Sequence, residues 1–179
     1  MRYVAFLRAI NVGGHVVKMD RLRTLFEKMK FKGVQTFIAS GNVIFETAAR
    51  DTATIERRIE RELAAAFGYD VEAFVRSIDE VAAVAGHEPF GPAGVRAGQK
   101  LSVVFLRSSP DAAFKKTIDG LRVDSDDFHF HQRELYWLCR GGMMSQSPVA
   151  VPLGKALGVR GTMRNVTTVR KLAAKCSRS

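Results

Sequence analysis

The stretch Tyr3-Val4-Ala5-Phe6-Leu7-Arg8-Ala9-Ile10-Asn11-Val12-Gly13-Gly14, with the basic residues 18–32 and then Thr36-Phe37-Ile38-Ala39-Ser40-Gly41-Asn42-Val43-Ile44-Phe45, decides the fold. Residues 3–10 are β-rich and apolar on both faces, which predicts a strand covered on two sides. Met19, Leu22, Leu25, Phe26 and Met29 then recur at helical spacing, with Gly33 as the expected stop. Two further β runs, 34–40 and 43–47, flank Gly41-Asn42, a pair suited to a two-residue hairpin turn.

Working outward, Ile55, Ile59, Leu63 and Phe67 step by four along a second helix ended by Gly68, and residues 71–76 read as a strand. The order β-α-β-β-α-β is the split βαβ, or ferredoxin-like, α+β pattern. A doubly wound sheet is disfavoured, because its strands would alternate singly with helices. Ser77-Ile78-Asp79-Glu80 is a capping box that opens a short helix. Residues 86–100 carry four glycines and two prolines, and mark a linker. The pattern then restarts: an apolar strand at 101–106, a helix opened by Ser109-Pro110-Asp111 with Ser109 as N-cap and proline at N1, and a hairpin of 127–131 with 134–139 across Gln132-Arg133. Helices are expected near 153–157 and over 163–175. The organisation read from this is a ferredoxin-like unit at 1–85, a connector at 86–100 and a second such α+β unit at 101–179. Two units packed together would account for the two apolar faces of the first strand.

The chain has 179 residues, 46% of them hydrophobic and 26% charged, which is ordinary globular material. No apolar run approaches the roughly 20 residues that cross a bilayer, and residues 1–15 lack a secretory leader pattern. A cytoplasmic protein with no membrane partner is the expectation. Cys139 and Cys176 show no metal spacing and read as thiols rather than a disulfide. The net charge of +10 is uneven: residues 1–33 carry +6, residues 155–179 carry +7 without one acid, and those between sum to −3. If the two ends meet, they make a patch that attracts phosphate-bearing partners. The plainer reading is a surface kept soluble by Lys and Arg.

Three segments resemble the bacterial domain-of-unknown-function family 1697. They are Leu7-Arg8-Ala9-Ile10-Asn11-Val12-Gly13-Gly14, Ser40-Gly41-Asn42-Val43-Ile44-Phe45, and Thr162-Met163-Arg164-Asn165-Val166-Thr167-Thr168-Val169. The resemblance runs through the whole chain in order and spacing, and implies two ferredoxin-like units but no mechanism. Ala9 stands where the family usually has glycine, and Val166 and Thr167 where it has tryptophan and asparagine.

These segments supply the candidate ligand-binding residues. Asn11, Gly13 and Gly14 suit a nest of backbone N–H groups around an anion, with Lys18 beyond; a plain strand-to-helix connection needs the same residues. Arg8, in a strand covered on both sides, would cost several kcal/mol without a partner, and Glu46 or Asp20 are the expected carboxylates. Ser40 and Asn42 sit at the hairpin, where geometry alone accounts for Asn42. Arg164 and Asn165 are placed on the last helix, with Thr162 as its N-cap and an anion site at its start. His129 and His131 share one strand face opposite Phe128 and Phe130; two ligands without a third are a weak metal signal, and solvent-facing hairpin histidines are the plainer reading. No nucleophile or general-base motif appears, no catalytic residue is assigned, and no cofactor or metal is called for.

The leading expectation is a non-enzymatic protein that binds nucleic acid or a phosphorylated small molecule at a basic surface. Its rivals are an enzyme with a site in the cleft between the two units, with Arg8, Asn11, Ser40 and Arg164 orienting a substrate, and a module that oligomerises through sheet edges.

Overall fold

The computed structural model describes residues 1–11, 14–38, 41–91 and 95–177. The chain divides into two compact units, Met1–Ala83 with Leu172–Ser179, and Val84–Lys171. Among the described residues each unit holds one four-stranded antiparallel sheet, and helices alternate with the strands in the α+β plait order.

In the first unit β1 (Arg2–Arg8), α1 (Met19–Lys28), β2 (Lys32–Phe37), β3 (Asn42–Glu46), α2 (Thr52–Phe67) and β4 (Glu72–Ser77) form a sheet in the order β2-β3-β1-β4. The core lies between this sheet and α1 and α2. Tyr3, Ala5 and Leu7 meet Leu22, Phe26, Ile55, Ile59 and Leu63 there. The other face of β1 is equally buried, with Val4 and Phe6 at 0% exposure. Asp51 caps α2 by accepting from the Ala53 and Thr54 N–H groups, and Gly68 ends it in a left-handed conformation.

Edge strand β4 would present unpaired N–H groups to another chain. Two glutamates one turn apart on α2 occupy them: Glu60 Oε1 accepts from the Ala73 N–H at 3.0 Å, and Glu56 Oε1 from the Val75 N–H at 2.8 Å. The edge is thereby closed from within the fold. The capping box is present as read, with Ser77 N–H donating to Glu80 Oε2 at 2.7 Å and Glu80 N–H to Ser77 Oγ at 3.2 Å. It opens α3 (Ile78–Gly86).

The second unit repeats the plan with β5 (Lys100–Leu106), α4 (Ala112–Asp119), β6 (Asp126–His131), β7 (Glu134–Cys139), α5 (Ala150–Leu157), β8 (Gly161–Asn165) and α6 (Val166–Ser177), whose last residues count with the first unit. Its sheet order is β6-β7-β5-β8. The core gathers Val104, Leu106, Phe114, Ile118, Phe128, Leu135, Trp137 and Leu153. Trp137 Nε1–H donates to buried Asp126 Oδ1 at 2.7 Å, so the largest core side chain has its one polar atom satisfied.

Four local expectations are corrected. Gly33 does not end α1: the helix stops at Lys28, Lys30 takes the left-handed turn, and Gly33, also left-handed, sits at the β2 bulge. Gly41-Asn42 is not a two-residue turn, because β3 begins at Asn42. Asp111, not Ser109, caps α4, accepting from the Phe114 N–H at 2.7 Å. The helix expected over 163–175 is a strand followed by a helix. Residues 161–165 pair with β5, in register from Ser102 opposite Asn165 to Leu106 opposite Gly161, which completes the sheet. Ladder hydrogen bonds and burial outweighed a helical period in a short segment.

Candidate anion-binding sites

The first two motifs adjoin at the end of β1. Leu7 N–H donates to Gly41 O at 2.8 Å, and Gly41 lies so close that a Cβ on it would stand 2.9 Å from Ile10 Cγ2. Ala9 adopts φ +62°, a conformation suited to glycine. Beyond it Asn11 Oδ1 accepts from the Val17 N–H at 2.8 Å and holds the loop against the start of α1. Tyr69 O–H donates to Ile10 O at 2.8 Å, and the His15 ring stacks on Tyr69 at 4.2 Å. Gly14 is left-handed and Lys18 is exposed just before α1. Gly13 and Ser40 lie outside the described residues.

Arg8 does find a carboxylate, but neither of the two expected. Its Nη1 is 3.2 Å from Glu72 Oε2, directly across the β1–β4 ladder. Glu46 sits instead opposite Arg2 and Lys32, and Asp20 faces Arg23. Asn42 is fully buried and donates from Nδ2 to Phe37 O at 3.0 Å, which closes the hairpin.

The third motif is in the second unit. Arg164 belongs to β8, not to the last helix, and donates to Thr162 Oγ1 at 3.0 Å and Met163 O at 2.8 Å. Burial lowers its pKa to about 10, so it stays a cation at neutral pH. Thr162 is a strand residue and cannot cap α6. Asn165 does so: its Oδ1 accepts from the Thr167 N–H at 2.8 Å where β8 turns into the helix.

Asn165 and Thr167 border a cleft of about 260 Å³, together with Arg170 from α6, Lys100 from β5, and Glu88 and Phe90 from the segment after α3. Arg170 Nε–H donates to Ala85 O at 3.2 Å, which fixes that side chain along the wall. The first turn of α6 holds no acidic residue, so its positive end is uncompensated. Two cations and a helix start against one carboxylate make a cleft suited to an anion. A second cleft, of about 350 Å³, lies at the end of β5 with Arg107, Ser108, Ser109 and Arg160, but Asp111 shares it.

Sequence reasoning missed Lys100 and Arg170 as cleft residues, and missed His87. Arg170 follows Asn165 closely along α6, but Lys100 lies far away in the chain and reaches the cleft through the β5–β8 pairing, and the course of the chain after α3 carries His87 to His129 and His131. The one available signal was positive charge beside the third motif.

Comparison with known proteins agrees with the fold. The profile of the family described as protein of unknown function (DUF1697) matches residues 1–136. The chain belongs to this family. No curated protein matches the DUF1697 chain significantly. Among solved structures it is similar to the conserved bacterial protein SP0830 from Streptococcus pneumoniae, with 19% sequence identity, 97% of each chain covered and a TM-score of 0.73. At that identity the likeness is one of fold. Among the described residues no helix is long and apolar enough to cross a membrane.

Proposed function

We propose that this protein binds a small phosphate-bearing molecule in the cleft at the start of α6. One observation carries the reading. Asn165 turns β8 into α6 so that the uncompensated helix start, Lys100 and Arg170 border one polar cleft of about 260 Å³. Backbone N–H groups at a helix start and a guanidinium beside them are the chemistry that holds phosphate. A volume near the lower end of ligand pockets favours a small molecule over a nucleic-acid duplex, which needs an extended cationic surface.

The test is a titration with inorganic pyrophosphate followed by amide chemical shifts and calorimetry. Shifts should centre on Asn165, Thr167 and Lys100, and Arg170→Met with Lys100→Met should weaken binding about tenfold or more. Pyrophosphate binding that survives both substitutions, or shifts centred elsewhere, would overturn the proposal. If duplex DNA instead binds with a log K against log salt slope near −4.5, about five phosphates are neutralised, and an extended surface is the correct reading.

A further inference from the structure

His129 and His131 point to the face of β6 opposite Phe128 and Phe130, as their alternation requires. They do not face solvent alone. The chain leaving α3 lays the His87 ring on His131, with centroids 4.1 Å apart and planes 19° from parallel. His129 stands 5.5 Å from the same ring and Tyr136 5.1 Å. The Phe90 ring meets His129 edge-on at 6.2 Å. His87 Nε2 is buried without a hydrogen-bond partner. Stacked planes do not aim their nitrogens at one point, and no metal-binding group of three or more side chains occurs among the described residues.

The charged neighbours come from every element around the trio. Buried Glu134 on β7 stands across the ladder from His131, and Asp127 on β6 pairs with Arg122 and Arg140. Arg133 lies in the β6–β7 turn. Tyr136 O–H donates to Val84 O at 3.3 Å, while Arg170 reaches Ala85 O. Glu88 follows His87 directly and lines the cleft, as does Phe90. The ring stack and the cleft wall are therefore one piece of chain.

We propose that His87, His129 and His131 form a proton-operated switch on the α6 cleft, in which charging the stack pushes His87 outward and draws Glu88 and Phe90 off the wall. The proposal rests on the cleft being an anion site. Two cationic rings in a face-to-face stack repel, and a buried ring nitrogen without a partner has nothing to stabilise its proton. Burial first, then the neighbouring His131 and His129, lowers the pKa of His87 below the ordinary 6.5, so the His87 ring is neutral at neutral pH and gains its proton, and the stack its repulsion, on acidification. New positive charge and the departure of Glu88 then both raise the attraction of the cleft for anions.

The test uses sulfate, whose charge is constant between about pH 5.5 and 7.5, alongside a ring and amide NMR titration of the ligand-free protein. The His87 ring should titrate with a midpoint below 6.5, and the amides of Glu88 and Phe90 should shift with the same midpoint. The sulfate Kd should fall about threefold or more on acidification, and His87→Gln with His131→Gln should remove most of that gain. A His87 titration that leaves Glu88 and Phe90 unmoved would overturn the switch, as would an equal sulfate gain in the double variant. If sulfate binds at no pH, the cleft reading fails, and the ring and amide titration alone decides whether the switch exists.

Discussion

Arg8 and Glu72 face each other across the β1–β4 ladder, with Nη1 3.2 Å from Oε2. The guanidinium retains 35% of its side-chain exposure and the carboxylate 20%. A pair so placed is screened by water, and its coupling should be about 0.5 kcal/mol, below 1, and smaller still in high salt. A double-mutant cycle of Arg8→Met and Glu72→Gln by urea unfolding measures it. A coupling of several kcal/mol would show that solvent does not reach this pair.

Ala9 holds φ +62° next to Ile10, against whose side chain Gly41 packs. Ala9→Gly relieves that strain and should stabilise by about 0.5–1 kcal/mol, despite the flexibility glycine adds to the unfolded chain. Gly41→Ala should do the reverse. At φ +74°, with Ile10 Cγ2 at 2.9 Å and Leu7 Cβ at 3.2 Å, the added methyl should cost about 2 kcal/mol. Thermal and urea unfolding of the two variants should move in opposite directions.

The carboxylates that close the β4 edge should be worth more than any surface ion pair. Glu56 is 2% exposed and holds the Val75 N–H. Glu56→Ala leaves a buried donor unsatisfied, at a cost of about 2 kcal/mol. Glu60→Ala should cost less, because Glu60 is only half-buried. The double variant should also self-associate at a freed strand edge, which light scattering would detect.

Stability should fall on acidification through the histidine stack. His87 has its folded-state pKa lowered from 6.5, so the unfolded chain binds more protons than the native one over the interval between the two values. Its contribution is complete above 6.5 and is lost as pH falls through the lower, folded value. Urea midpoints measured across that range should drop in the native sequence and drop less in His87→Gln.

Neither cysteine should react with a thiol reagent while the protein is folded. Cys139 is 1% and Cys176 4% exposed, and burial raises the pKa of both thiols. Both should become reactive together with global unfolding, and an early reaction of Cys176 alone would show that the end of α6 opens independently.

The legible features were those whose cause is local. The apolar run of 3–10 that marks a strand covered on both faces, the four-residue step from Ile55 to Phe67, Gly68 and the Ser77–Glu80 capping box all act within a few residues, and each has its counterpart in β1, α2 and the start of α3. The misreadings share the opposite property. Residues 161–165 carry no strong β pattern and become a strand because β5 offers a free edge. Gly33 was read as a helix stop, yet the register of β2 on β3 placed it at a bulge. Arg8 was expected to pair with Glu46 or Asp20, and cross-strand register supplied Glu72 instead.

Repeated α+β order and charge gathered at both ends were thus written in the chain itself, since periodicity and composition survive without a partner segment. Which side chains converge was settled only by folding. Strand pairing brings Lys100 to the cleft that Asn165 and Arg170 border, and the course of the chain after α3 carries His87 to His129 and His131. Register is a property of two strands at once, so a contact between distant residues exists only when both have been placed.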